Sequence, residues 1–97
     1  ALEFMESSYN LPLTLEEISG SVNMSPKYFC RFFHEMTHRT PIDYLNYYRI
    51  ERACYQLITT NLSITEIAYA SGFNDLSYFI KTFKKYKGTT PKKYLKI

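Results

Sequence analysis

A chain of 97 residues with 45% hydrophobic content is long enough for one small core and too short for two independent ones. Three glycines, no tryptophan and few β-branched runs exclude a barrel or sandwich, which needs a turn signal every ten residues or so. No apolar run approaches the ~20 residues that cross a bilayer and no charged-then-apolar leader precedes a cleavage site, so a cytoplasmic protein without membrane contact is expected. The net charge of +3 is unevenly spread: residues 1–75 hold five basic and nine acidic residues, whereas 76–97 hold seven lysines and no acid. Such polarity favours a polyanion near the C-terminal end, although a solvated lysine face gives the same count. Cys30 and Cys54 form no disulfide framework and read as reduced thiols. The chain opens on Ala1 and not on methionine, as expected of a domain excised from a longer protein.

In chain order, an opening helical segment around Leu2–Tyr9 is ended by Asn10 and Pro12. Six further helix starts follow, each marked by a side chain able to accept an unpaired first-turn N–H. Thr14 with Glu17 and Ser63 with Glu66 have capping-box spacing, and Thr40 precedes Pro41 with Asp43 three residues on. Ser25 precedes Pro26, Asp75 precedes Leu76, and Thr90 precedes Pro91. The reading is all-α, with seven helices and almost nothing left for strands. The third and sixth helices span about three turns. The fourth, from Pro41 to about Thr59, is the longest, and its stripe of Leu45, Ile50, Ala53 and Leu57 marks a linker packed on both ends of the molecule. The expected organisation is a first helix-turn-helix over 1–39, a linker helix over 40–60 and a second helix-turn-helix over 61–97.

An internal repeat supports that division. Tyr28-Phe29 recurs as Tyr78-Phe79, Phe33 as Phe83, Pro41 as Pro91 and Tyr44-Leu45 as Tyr94-Leu95, all at an offset of fifty; Leu13, Glu17 and Ile18 match Leu62, Glu66 and Ile67 at forty-nine. One residue is therefore added in the second turn, where it leaves both packing faces intact. Each copy is a short helix, a tight turn and a second helix. Ala68, Gly72 and Phe73 supply the small crossing residue, the positive φ and the apolar plug in one copy; Ser19, Asn23 and Met24 take those places in the other.

At 100° per residue, Phe29, Phe32, Phe33 and Met36 on the third helix, and Phe79, Phe83 and Tyr86 on the sixth, are expected to face the core. The opposite arcs carry Lys27, Cys30, Arg31 and His34, and, at the same relative positions, Ser77, Ile80, Lys81 and Lys84. A helix fits the major groove, where arginine and lysine address acceptors and apolar groups address thymine methyls. Arg31 is the leading base-reading candidate, followed by Lys27, Ser77 and Lys81; Cys30 and Ile80 suit thymine methyls, and His34 and Lys84 suit phosphate. Helix starts at Thr14, Thr40, Ser63 and Thr90 offer backbone N–H groups to phosphates, and Lys85, Lys87, Lys92 and Lys93 add charge. A linker of about nineteen residues is roughly 28 Å long, against about 34 Å for one turn of DNA. Two recognition helices on one chain thus suit successive major-groove segments of a non-palindromic site.

These residues resemble the AraC/XylS family of bacterial transcription regulators. The likeness is densest over Ile64–Ala68, Ser71–Asp75, Ser77–Lys85, Gly88–Pro91 and Tyr94, and extends through Ser25, Tyr28-Phe29, Arg31, Phe33, Pro41, Tyr44-Leu45, Arg49-Ile50, Ala53 and Leu57. It implies a seven-helix domain whose third and sixth helices read adjacent groove segments, activation through RNA polymerase, and base contacts from Lys27, Cys30, Arg31, Ser77, Tyr78 and Lys81. It also implies a fused sensor or dimerisation domain outside these residues. Ser19, where the family usually has alanine, and Leu95-Lys96, where an aromatic plus arginine is common, depart from the pattern.

Other chemistries find less support. There is no nucleophile elbow, Gly-rich phosphate loop or paired carboxylate cleft, so no catalytic residue and no cofactor is assigned. Cys30, His34 and His38 have a zinc-compatible stagger, with an acid or Cys54 as fourth ligand, but His38 falls at the helix end and the other two lie on the proposed DNA face; no metal is assigned. Among ten tyrosines and seven phenylalanines, Tyr9, Tyr47, Tyr48 and Tyr55 fall outside core spacing and are expected to offer a surface to a partner domain or polymerase.

Overall fold

The computed structural model describes residues 2–95. Its elements are α1 (Leu2–Ser8), α2 (Leu15–Gly20), α3 (Pro26–Thr37), α4 (Pro41–Thr59), α5 (Ile64–Ala70), α6 (Leu76–Lys87) and α7 (Pro91–Tyr94). The fold is all-helical, two helix-turn-helix units joined by α4, and the Lys96 departure lies outside the described residues. Every helix after the first starts where its cap residue requires. Thr14, Ser25, Thr40, Ser63, Asp75 and Thr90 all adopt extended backbone, and their side chains accept N–H groups of Glu17, Tyr28, Asp43, Glu66, Ser77 and Lys93 respectively. Both capping boxes close, with the Glu17 carboxylate accepting the Thr14 N–H at 3.0 Å and that of Glu66 accepting the Ser63 N–H at 3.1 Å. The bonds from Ser63 hold the Glu66 carboxyl below its usual value.

The repeat is realised atom by atom. α3 and α6 end at left-handed residues fifty apart, His38 (φ 61) and Gly88 (φ 75), whose N–H groups return to His34 and Lys84 carbonyls at 2.8 and 2.9 Å. The two turns bend at Asn23 (φ 57) and Gly72 (φ 99), and the apolar plugs Met24 and Phe73 donate to the Ser19 and Ala68 carbonyls at 3.1 and 3.0 Å. The extra residue is Asn74: Ser25 follows Met24 directly, whereas Asn74 separates Phe73 from Asp75.

Two cores result, and α4 belongs to both. The first contains Met5, Ile18, Phe29, Phe33 and Leu45; the second contains Ile50, Ala53, Cys54, Leu57, Ile67, Ala68, Phe73, Phe79 and Phe83. Ring contacts repeat across them: Phe29–Phe33 at 5.5 Å and Phe33–Tyr44 at 5.7 Å in one, Phe79–Phe83 at 5.8 Å and Phe83–Tyr94 at 5.5 Å in the other. The body measures 42 × 22 × 21 Å, and no described helix is long and apolar enough to cross a membrane.

Two expectations about packing are corrected. Phe32 and Met36 do not face the core; they are 43% and 68% exposed. The equivalent positions in the second unit are covered: Thr82 is 6% exposed, and Tyr86 packs edge-on to Tyr47 of α4 at 5.9 Å and donates its hydroxyl to the Asp43 carboxylate. α1, a helix of seven residues, does not reach over Phe32 and Met36 in that way. Of the tyrosines expected at the surface, Tyr9 and Tyr48 pack edge-on at 5.3 Å and Tyr47 lies between Tyr44 and Tyr86; Tyr55 is the exposed one, at 56%.

Gly72 has a second reason to be glycine: a Cβ there would stand 2.3 Å from the Tyr9 carbonyl oxygen and 2.7 Å from Arg49 Nε. Gly72→Ala is expected to lower stability by more than about 1 kcal/mol, from backbone strain and the clash together, whereas Asn23→Gly should stay within about 1 kcal/mol of the parent. Urea unfolding of both variants checks the contrast. Thr14→Ala and Ser63→Ala should each cost about 1 kcal/mol. The stabilisation carried by Glu66 is full above the carboxyl's unfolded pKa and is lost as pH falls through its lowered folded value, so Glu66→Gln should matter less in acid.

Candidate nucleic-acid interface

α3 and α6 are placed with Phe29 and Phe33, and Phe79 and Phe83, inward, so the opposite arc of each is set by the helical period and not by chance. On α3, Lys27, Arg31 and His34 are exposed; on α6, Ser77, Lys81 and Lys84 are exposed. The equivalent residues Cys30 and Ile80 are half-buried in both units, at the inner edge of the arc, and Ile80 packs against the second core. Tyr78 is 48% exposed, with its hydroxyl accepting a bond from Asn46 Nδ2 at 3.0 Å and its ring 6.0 Å from Phe73. It thus stands tethered beside the arc.

The residues assigned to phosphate divide by their neighbours. The Thr14, Thr40 and Ser63 hydroxyls are occupied in capping, and each of those helices carries an acid in its first turn: Glu17, Asp43 and Glu66. An acid there already engages the positive end of the helix dipole. The Thr90 start instead carries exposed Lys92 and Lys93. Lys85 lies 3.8 Å from Asp43, and Lys87 pairs with Glu51, so these two are partly neutralised. Lys81, Lys84, Lys92 and Lys93 form no ion pair among the described residues. The stagger of Cys30, His34 and His38 does not produce a metal cluster: among the described residues no group of three or more His, Cys, Asp or Glu is placed to hold an ion.

The residues that hold the two units together centre on Arg49 and Asp43. Arg49 Nε donates to the Tyr9 carbonyl at 2.7 Å and an Nη to that of Leu11 at 2.9 Å, while its guanidinium lies 5.9 Å from the Phe73 ring. Burial lowers the Arg49 pKa, yet a guanidinium remains charged at any working pH. Asp43 gathers the Tyr86 hydroxyl, Lys85 and, at 3.5 Å, Arg39, which also stacks over Tyr47 at 4.3 Å. The Tyr86 hydroxyl is held neutral to higher pH by burial first and by the Asp43 carboxylate second. One signal for Arg49 exists in the sequence: it interrupts the stripe Leu45, Arg49, Ala53, Leu57, and a charge on an apolar stripe needs a buried partner.

A family model described as a helix-turn-helix domain matches residues 18–97. The HTH-type transcriptional regulator YdeC of Bacillus subtilis is 34% identical over 96 residues, which are 99% of this chain and 33% of that protein. The chain thus spans about a third of the length of such relatives. The C-terminal domain of the two-component response regulator yesN from Fusobacterium nucleatum superposes with a TM-score of 0.91 at 38% identity, covering 97% of this chain and 92% of that one. A transcriptional regulator from Chromobacterium violaceum with an AraC-type DNA-binding domain does so at 0.90 and 27% identity, covering 98% and 85%. By its matched domain and by these relatives, the chain belongs to the AraC/XylS family of DNA-binding helix-turn-helix transcription regulators.

Proposed function

We propose that α3 and α6 enter two adjacent major-groove segments on one side of a duplex, the first reading bases with Lys27, Cys30 and Arg31 and the second with Ser77, Tyr78, Ile80 and Lys81. The observation that carries this reading is the pair of equivalent outward arcs, fifty residues apart, on a body 42 Å long, against about 34 Å for a turn of DNA. His34, Lys84, Lys85, Lys92 and Lys93 serve the phosphates, with backbone N–H groups at the Thr14, Thr40 and Ser63 starts as weaker contacts because of their neighbouring acids. Specificity is divided unequally. Arg31 offers a bidentate fork to guanine, whereas the lysine-rich second face leans toward the backbone.

In the intact protein this domain is joined to a sensor or dimerisation domain. Its likeness to the C-terminal domain of a two-component response regulator favours control by phosphorylation, in the cytoplasm; activation by contact with RNA polymerase is what membership of the family implies. The residues left over for such contacts include the exposed Tyr55 and the flank of Tyr28, Phe32 and Met36.

Selection of bound duplexes from a random pool at stated salt defines the site. On it, Arg31→Ala and Lys81→Ala should each weaken specific binding by about 1–3 kcal/mol, at different half-sites. Lys92→Ala and Lys93→Ala should weaken all sequences alike and each lower the salt slope by about 1. Equal losses on specific and random DNA for every substitution would defeat the base-reading assignment.

A further inference from the structure

Two reading helices on one chain specify a site only if their separation is fixed. α4 is continuous from Pro41 to Thr59 and lends residues to both cores, but each core grips a different stretch of it, and the chain enters and leaves it through short connections at 38–40 and 60–63. Contacts that run directly from one unit to the other fix how the two sit on it. At their centre is Arg49, whose bonds to the Tyr9 and Leu11 carbonyls seize the α1–α2 connection of the first unit while its guanidinium faces Phe73 in the turn of the second.

The two units also touch directly at this point. The Gly72 backbone lies so close to the Tyr9–Asn10 segment that an added Cβ would stand 2.3 Å from the Tyr9 carbonyl oxygen and 3.2 Å from the Asn10 Cα. Both partners sit just upstream of elements that aim a recognition helix. Gly72 and Phe73 lead into the Asp75 cap of α6, and Tyr9–Leu11 leads into the Thr14 cap of α2, on which α3 packs. A shift at the Arg49 junction is therefore carried to both reading faces.

We infer that Arg49 is a positioning residue that sets the separation and phase of α3 and α6, and with them the number of base pairs between the half-sites the domain accepts. The inference rests on the reading that both helices enter the groove. The chemistry favours arginine: the planar fork holds two carbonyls in a fixed relation, whereas a lysine ammonium is a single point of charge on a flexible stem. One added base pair moves the second half-site by about 3.4 Å and turns it by about 34°, a mismatch that a rigid junction rejects and a loose one absorbs.

The test measures affinity of the chain and of Arg49→Met and Arg49→Lys for the selected duplex and for duplexes with one or two base pairs inserted between, or removed from between, the half-sites. Thermal unfolding of each protein is followed in parallel. The parent should lose about tenfold or more for a one-base-pair change, within the range that a mismatched pair costs. Arg49→Met should discriminate by less than about threefold while still losing as much as the parent when bases within either half-site are changed, with Arg49→Lys between the two. If Arg49→Met does not fold, Arg49→Lys is read by the same ratio, and spacing discrimination equal to the parent's overturns the inference. So does a variant that loses the same factor on every duplex, the signature of a purely structural residue. A parent indifferent to spacing overturns the two-helix reading itself, and the Arg49 role with it; a discriminating parent beside an equally discriminating Arg49→Met overturns the Arg49 role alone.

Discussion

A chain of 97 residues buries too little surface for two self-sufficient cores, and the fold meets that constraint by lending one helix to both. α4 contributes Leu45 to the first core and Ile50, Ala53, Cys54 and Leu57 to the second, so each unit is completed by a different stretch of the same element. The division is not even, and the first unit makes up the difference with Met5 of α1 and a ring of partly buried residues that includes Phe4, Tyr9 and Leu13. The N-terminal segment therefore packs as part of the first unit, and its far end, Tyr9–Leu11, is where Arg49 takes hold.

The polar groups between the units follow from the same economy of length. Asp43 and Asn46 lie on the half of α4 that serves the first core, yet their side chains bind Tyr86 and Tyr78 of α6. The junction thus combines hydrogen bonds at α6, an arginine at the turn and the tyrosine stack of Tyr44, Tyr47 and Tyr86, in contrast to the apolar interiors on either side. This also revises the charge argument. Seven lysines crowd the last 22 residues, but Lys85 and Lys87 face Asp43 and Glu51, and Lys84, Lys85 and Lys87 all suit the negative end of the α6 dipole. The charge free for a polyanion is smaller and more localised than the count suggests.

What was legible in the sequence was local or periodic. All six caps and both capping boxes stand where a hydroxyl or carboxylate precedes an apolar run, because that bond is made within three residues. The repeat exposed the inward pairs Phe29 and Phe79, and Phe33 and Phe83, since a packed ring tolerates few substitutes. Phe32 and Met36 were misplaced because a helical wheel states only which residues share a side, and coverage of that side depends on a neighbour. Tyr86, the counterpart of Met36, has such a neighbour in α4. Arg49 shows in the sequence as a charge on the apolar stripe of α4, but its partners do not: they lie 38 and 40 residues upstream, and both are backbone carbonyls, which no side-chain pattern announces. For the tyrosines the difference runs the other way: of the four expected at the surface, Tyr9 and Tyr48 stack between the α1–α2 connection and α4, and Tyr47 stacks between α4 and α6.

The correspondence at fifty residues carries a consequence for how such a protein changes over time. Residues that agree between the copies, Phe29 with Phe79, Phe33 with Phe83, Tyr44 with Tyr94, point inward. Those that differ, Lys27 against Ser77, Arg31 against Lys81, His34 against Lys84, point outward and touch neither core. The shared phenylalanines of the frame and the charged positions of the faces are therefore different residues, with the exposed pair Tyr28 and Tyr78 and the half-buried pair Cys30 and Ile80 on the boundary between them. If each face reads one half of the site, a substitution on one face alters half of the recognised sequence while the other half keeps the protein in place, so new targets are reached by single steps without passing through a form that binds nothing.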